Sequence, residues 1–195
     1  MRVIDTEALL APDRLFTRGE CLSRGCPVPR APGLYAWYFR EIPPGVPVGD
    51  CRRAQGATLL YVGISPKRPP RNGGVASRQT LRSRIKNHYR GNAAGSTLRL
   101  TLGCLLETEL GLRLRRVGGG DRCTFGEGEQ QLSGWMEANA LVTWLPSVEP
   151  WRLEEQLIAS VSLPLNLDQN RHHAFHDRLS ALRREARRRA GQESR

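Results

Sequence analysis

Two short runs, GLYAWYFR (33–40) and TLLYVGI (58–64), constrain this chain more than any other feature. Both are rich in aromatic and aliphatic residues. Pro32 and Pro43-Pro44 bound the first, and Ser65-Pro66 follows the second. Such runs read as strands. The connection between them, EIPPGVPVGDCRRAQGA (41–57), is punctuated by Pro and Gly and reads as a loop, so the strands are expected to lie antiparallel. On the first strand Tyr35, Trp37 and Phe39 share one face. On the second, Tyr61 interrupts an aliphatic pattern two residues before Gly63. Core packing is the default for a strand tyrosine, so the residues alone leave open whether these phenols serve packing or chemistry.

Apolar spacing predicts helices over about 6–10, 77–90, 96–110, 129–140, 150–161 and 174–190. It predicts a third strand over 141–146 and a short β-excursion within 113–127. In the 77–90 helix Leu81, Ile85 and Tyr89 form the inward stripe. Arg82, Lys86 and Arg90 flank it on one edge, and Arg84 and His88 on the other. Phe175, Leu179, Leu182 and Ala186 repeat at helical spacing, which predicts a docked C-terminal helix; the stretch RREARRRAGQESR is expected to fray.

The 195 residues carry a net charge of +11. Such an excess answers a polyanion, either nucleic acid or an anionic membrane. Arginine supplies almost all of it, since Lys67 and Lys86 are the only lysines. A guanidinium forks onto phosphate, although codon bias in a GC-rich genome would also favour Arg over Lys. No stretch is long and apolar enough to span a bilayer, and MRVIDTEALLAPDR lacks the apolar centre of a signal peptide. The expectation is a cytoplasmic protein without a membrane partner. Five cysteines, Cys21, Cys26, Cys51, Cys104 and Cys123, do not suggest a disulfide framework, and their spacing matches no common zinc pattern.

The 150–161 helix carries an anomaly. With Trp151 at zero degrees, Leu157, Val161 and Ile158 fall near about 240°, 280° and 340°, and Glu154 near about 300°, inside that stripe. Glu155, near about 40°, lies outside it. A carboxylate on an apolar face needs a partner. That partner is either a core arginine or something bound in a cleft, such as a metal. Arg84 and His88, at i and i+4, are neighbours on one helical face. The pair suits phosphate chemistry, and it is also an ordinary solvated helix edge.

Taken together, GLY (33–35), YVG (61–63), Leu81, Arg84, His88, and then Glu154 and Asn166 in EEQLIASVSLPLN resemble the GIY-YIG nuclease superfamily. The resemblance covers about residues 33–168 and fills every signature position. It implies an α+β fold, a small antiparallel sheet of about three core strands flanked by helices. It implies a metal-dependent endonuclease that hydrolyses phosphodiester bonds in DNA with one divalent ion, Mg²⁺ or Mn²⁺. Tyr35 would then activate the attacking water and Tyr61 would position water or phosphate. Arg84 would stabilise the scissile phosphate, and His88 would assist a tyrosine hydroxyl and take up its proton. Glu154 would hold the metal, and Asn166 would order the site. Gly33 and Gly63 would allow close backbone approach. Nucleic-acid contacts are expected from Arg82, Lys86 and Arg90, and from Lys67 and Arg68 in the basic loop 65–75.

Around the 33–168 core, residues 1–32 read as an N-terminal extension and 169–195 as a basic C-terminal helix. Compared with compact family members, 41–57 and 89–153 are long insertions, either substrate-facing or scaffold. His172, His173 and His176 are a second candidate metal cluster or a solvated group. A non-catalytic nucleic-acid binder that keeps the fold, and an enzyme acting on a small phosphorylated or nucleotide-like substrate, are the competing readings. Retention of the polar site residues favours the nuclease. The sequence gives no oligomeric state.

Overall fold

The structure, a computed structural model, describes residues 6–69, 77–118 and 120–192. Its centre is a four-stranded antiparallel sheet in the order β2-β3-β1-β6: β1 is Gly33–Phe39, β2 Arg53–Ala54, β3 Ala57–Ser65 and β6 Ala140–Pro146. The three long strands are those expected from the sequence. The fourth, β2, is a two-residue edge whose Arg53 and Ala54 face Thr58 and Ala57. It is too short to show a period-2 pattern. A separate ribbon, β4 (Arg115–Arg116) with β5 (Cys123–Thr124), forms the excursion expected within 113–127.

All of β1 is buried, because the sheet is covered on both faces. Tyr35, Trp37, Phe39, Leu60 and Tyr61 belong to one cluster, with Leu81, Ile85 and Tyr89 of α3 (Leu81–Arg90). Leu34, Ala36, Tyr38, Leu59 and Val62 belong to the other, with Leu153, Leu157 and Ile158 of α6 (Pro150–Ser160). Alternation sorts the two sets along β1, and on β3 a bulge opposite Trp37 and Tyr38 puts the neighbours Leu60 and Tyr61 in one cluster. The first face also carries α4 (Thr97–Leu105), α5 (Gly128–Asn139) and α7 (His176–Gln192), whose buried residues join the first cluster.

Several boundaries differ from expectation for local reasons. The helix expected over 77–90 starts at Leu81, where Thr80 and Ser83 make a reciprocal capping box. The helix expected over 96–110 closes at Leu105. The described part of 1–32, read as an N-terminal extension, packs against the sheet. Phe16 exchanges backbone hydrogen bonds with Val142 of β6, and Leu9 is fully buried. This stretch holds α1 (Glu7–Leu10) and α2 (Arg18–Leu22), and α2 is capped by Thr17 and Glu20. The T-x-x-E pattern is the sequence signal for this second, unexpected helix.

The C-terminal helix continues to Gln192, beyond the point at which fraying was expected. Phe175, Leu179, Ala186 and Ala190 are buried and Leu182 packs against them, so the docking stripe extends one turn further. Full burial of a large apolar side chain such as Leu179 stabilises by about 1.5–3 kcal/mol. Of the basic loop 65–75, only 65–69 lies within the described residues. No described helix is long and apolar enough to cross a membrane.

Candidate active site

The site begins with one pairing. Tyr35 of β1 lies opposite Gly63 of β3. A Cβ on Gly63 would come within 2.5 Å of the Tyr35 Oη and 2.7 Å of its Cζ, so only glycine leaves room for this phenol. Gly33 is equally constrained: a Cβ there would collide with the Leu145 carbonyl and the Leu81 side chain.

Helix α3 then brings two partners to the Tyr35 hydroxyl. Arg84 Nε donates to Tyr35 Oη at 3.3 Å, and His88 Nε2 shares a hydrogen bond with it at 2.9 Å. Arg84 Nη1 is anchored on the Gly95 carbonyl at 3.0 Å. His88 is fully buried, and its other nitrogen, Nδ1, lies 2.7 Å from Ser96 Oγ. Ser96 Oγ also accepts the Arg99 backbone N–H, capping α4. The insertion 89–153 therefore supplies scaffold directly behind the site. Ser96 lies outside the residues expected from the sequence; its place just before an apolar helical run is the available signal.

Tyr61 is 8% exposed and lines the cleft beside Tyr35. Asn166 pins β3 next to it. Its Oδ1 accepts from Val62 N at 2.9 Å and its Nδ2 donates to Val62 O at 2.9 Å. Leu165 N donates to Leu60 O nearby. Strand β2 pairs only with the start of β3, and the Asn166 amide takes the place of a neighbouring strand further along. Such two-point pairing satisfies backbone groups that would otherwise need solvent.

Glu154 reaches the same cleft from α6. It falls inside the arc of Leu153, Leu157 and Ile158 and is half-buried, whereas Glu155 is exposed and pairs with Arg68 at 3.1 Å. Among the described residues Glu154 has no ion pair, so the core arginine considered as its partner is not there. Tyr35, Tyr61, Arg84, Glu154, Asp168 and Lys67 all line one cleft of about 1120 Å³.

The electrostatics follow from burial. Desolvation raises the Tyr35 phenol although Arg84 pulls it down. Tyr61 stands well above the usual tyrosine range, through burial first and Tyr35 second. His88 is held well below the usual histidine range by burial, then by Arg84 and Arg99. A proton on this imidazole would be a buried charge beside two guanidiniums. His88 is therefore a neutral hydrogen-bond partner of the Tyr35 hydroxyl. Glu154 is pushed up to about 7 by burial, then by Asp168 and Glu155, with Lys67 opposing.

The remaining expected residues divide. Lys67 and Arg68 line the cleft. Arg82, Lys86 and Arg90 do not; Arg82 instead donates to the Val28 and Cys26 carbonyls at 2.6 and 3.0 Å, clamping the N-terminal segment. The histidines also part company. His173 is bonded to Ser162 Oγ and the Phe175 N–H, His176 faces Asp177, and His172 is exposed. No group of three His, Cys, Asp or Glu converges among the described residues. The cleft also holds residues not expected from the sequence: Asp168, and Arg183, Arg184 and Arg187 on α7.

A divalent cation fits this donor set. A half-buried carboxylate lacks a cation, its neighbour Asp168 is also a hard oxygen donor, and the ionised form of Glu154 is destabilised where it stands. A bound cation would reverse that penalty. No curated protein and no solved structure matches the chain. A family model described as the GIY-YIG catalytic domain matches residues 33–185, from the first residue of β1 into α7. That match spans most of the chain and takes in the cleft as far as Arg184 of α7, and the protein belongs to the GIY-YIG family of nuclease domains.

Proposed function

We propose that this protein is a metal-dependent endonuclease that hydrolyses phosphodiester bonds in DNA. The observation that carries the reading is the Tyr35 hydroxyl, held between Arg84 and His88 in a cleft that also contains an unpaired Glu154. The net charge of +11 and the arginine-lined cleft suit a polyanionic substrate.

Arg84 binds the scissile phosphate and offsets the charge that develops on it, while its bonds to Tyr35 and Gly95 hold the guanidinium in one orientation. Tyr35 Oη accepts from Arg84 and shares its second bond with neutral His88. The phenol is thereby fixed in direction, and it orients the attacking water. Ser96 fixes the imidazole from behind. Tyr61 supplies a second hydroxyl in the cleft, directed at water or a phosphate oxygen. Asn166 keeps β3, and so both tyrosines, at a constant spacing. Glu154, with Asp168 nearby, would hold Mg²⁺ or Mn²⁺. Such an ion supplies Lewis-acid stabilisation of the phosphate oxygens and favours ionised forms around it.

Incubation with supercoiled plasmid, single-stranded DNA, branched DNA and RNA, with Mg²⁺, Mn²⁺ or EDTA, tests the reading. Cleavage of DNA with either ion and none in EDTA is expected. Undiminished cleavage in EDTA removes the metal. Cleavage of RNA alone, or turnover only of a small phosphodiester, replaces the substrate class.

A further inference from the structure

We propose that Arg183, Arg184 and Arg187 of α7 form a second phosphate subsite, which grips the nucleic-acid backbone beside the phosphate held by Arg84. The inference rests on the nucleic-acid reading above and assigns a binding role to a helix outside the family's signature motifs.

Helix α7 carries arginines of two kinds. Positions 180, 183, 184 and 187 share one face of the helix, and all four line the cleft. Leu179, Ala186 and Ala190 lie on another face and are buried. The outer face carries Arg188 and Arg189, and both are paired: Arg188 with Glu185, and Arg189 with Glu107 at 2.8 and 2.7 Å. The side chains of the cleft-facing set have no hydrogen bond or ion pair among the described residues. Glu185 and Glu107, the ion-pair partners of the outer arginines, do not line the cleft.

Arg183 strengthens the case. It is half-buried, and burial lowers its affinity for the proton, with Asp168 and Tyr61 among the groups that partly compensate. An arginine that is desolvated and without an ion pair among the described residues is costly to the fold. A phosphate would satisfy it with two parallel N–H···O bonds. Arg171 lines the same cleft.

The test compares two charge-matched double variants, Arg184→Gln/Arg187→Gln and Arg188→Gln/Arg189→Gln. Binding of a fluorescent duplex and of one of its strands is measured in EDTA, without turnover, at several salt concentrations. Removing one arginine–phosphate interaction should reduce the slope of log K against log salt by about 0.9 on duplex and about 0.7 on single-stranded DNA. The cleft-face pair should reduce it by about 1–2 in total, and the outer pair should leave it at the wild-type value. Arg183→Met should weaken binding and raise the melting temperature together, a combination that a purely structural arginine would not produce. Equal slope changes from the two doubles, or a cleft-face double that matches wild type, would overturn the subsite. In that case a wild type that binds and cleaves DNA leaves the proposed function standing, whereas a wild type that binds no nucleic acid at low salt sinks both.

Discussion

Two carboxylates on different helices separate the interior of the insertion from the cleft. Glu129 of α5 meets Arg99, which is 0% exposed, through two bonds at 3.0 and 2.7 Å. Arg99 also reaches the Glu129, His88 and Tyr89 carbonyls, and Glu129 accepts the Ala93 and Phe125 N–H groups. Glu154 of α6 is half-buried too, yet it faces Asp168 and Glu155, with Lys67 in opposition. The first carboxylate is electrostatically complete, whereas the second has no ion pair among the described residues. A complete network holds a fold together; an incomplete one at a cleft marks where a ligand is to arrive.

The contrast breaks most visibly on activity. Glu154→Gln preserves size and removes the charge a cation needs, so cleavage should fall by at least about 1000-fold. The folded protein should persist, because the substitution breaks no ion pair. Steady-state cleavage with Mg²⁺, alongside thermal melting, checks both halves. A folded Glu154→Gln protein that cleaves normally would remove Glu154 from the mechanism.

The mirror experiment is Glu129→Gln. It strands a fully buried guanidinium and should cost about 3–5 kcal/mol of stability, read from urea unfolding. Activity loss would follow only indirectly, because Arg99 sits behind His88 and not in the cleft. A change below about 1 kcal/mol would mean that the two carboxylates are not different in kind.

How much of this contrast is legible in the chain depends on the length scale of each feature. Strands β1, β3 and β6 are legible because alternation and Pro/Gly boundaries act over neighbouring residues. Glu154 is separable from Glu155 because a helix converts sequence spacing into angle. The role of Arg82 is not legible: its acceptors, the Cys26 and Val28 carbonyls, lie more than fifty residues away, and helical phase cannot reveal them. Ser96 behind His88 is similar, since a helix cap in sequence says nothing of the imidazole it also meets. The α7 arginines have the right i, i+3, i+4 spacing throughout. A phosphate-facing arginine and a solvated one nevertheless look alike until the docked stripe fixes the helix's rotation.

A smaller effect appears in pH. Glu154 has a folded-state pKa of about 7, above the ordinary 4.5. Between those values the native state holds more protons than the unfolded one, so this group's contribution falls as pH rises and levels off above about 7. Metal-free wild type should therefore lose about 1–3 kcal/mol relative to Glu154→Gln between pH 4.5 and 8. The difference between the two proteins removes the His88 contribution, which has the opposite sign: an imidazole kept neutral by the fold lowers stability as pH falls below its unfolded value. Melting in EDTA across that range checks the slope, and saturating Mg²⁺ should abolish it. A parallel pair of curves would mean that Glu154 ionises as freely in the fold as in water.

The smallest change expected is at Glu155, one residue along the same helix. Its ion pair with Arg68 is exposed on both sides. Such pairs contribute about 0–1 kcal/mol, so Glu155→Gln should leave the melting midpoint nearly unmoved. Two secondary effects run in one direction. Loss of the carboxylate removes a group that raises Glu154, and it frees Arg68, which lines the cleft, for an anion. Affinity for DNA should hold or rise by no more than a few-fold, and cleavage should stay within about threefold of wild type (about 0.7 kcal/mol). Parallel assays of Glu154→Gln and Glu155→Gln settle which member of this adjacent pair matters. If the two variants lose activity alike, charge anywhere on this end of α6 suffices, and the half-buried position of Glu154 loses its meaning.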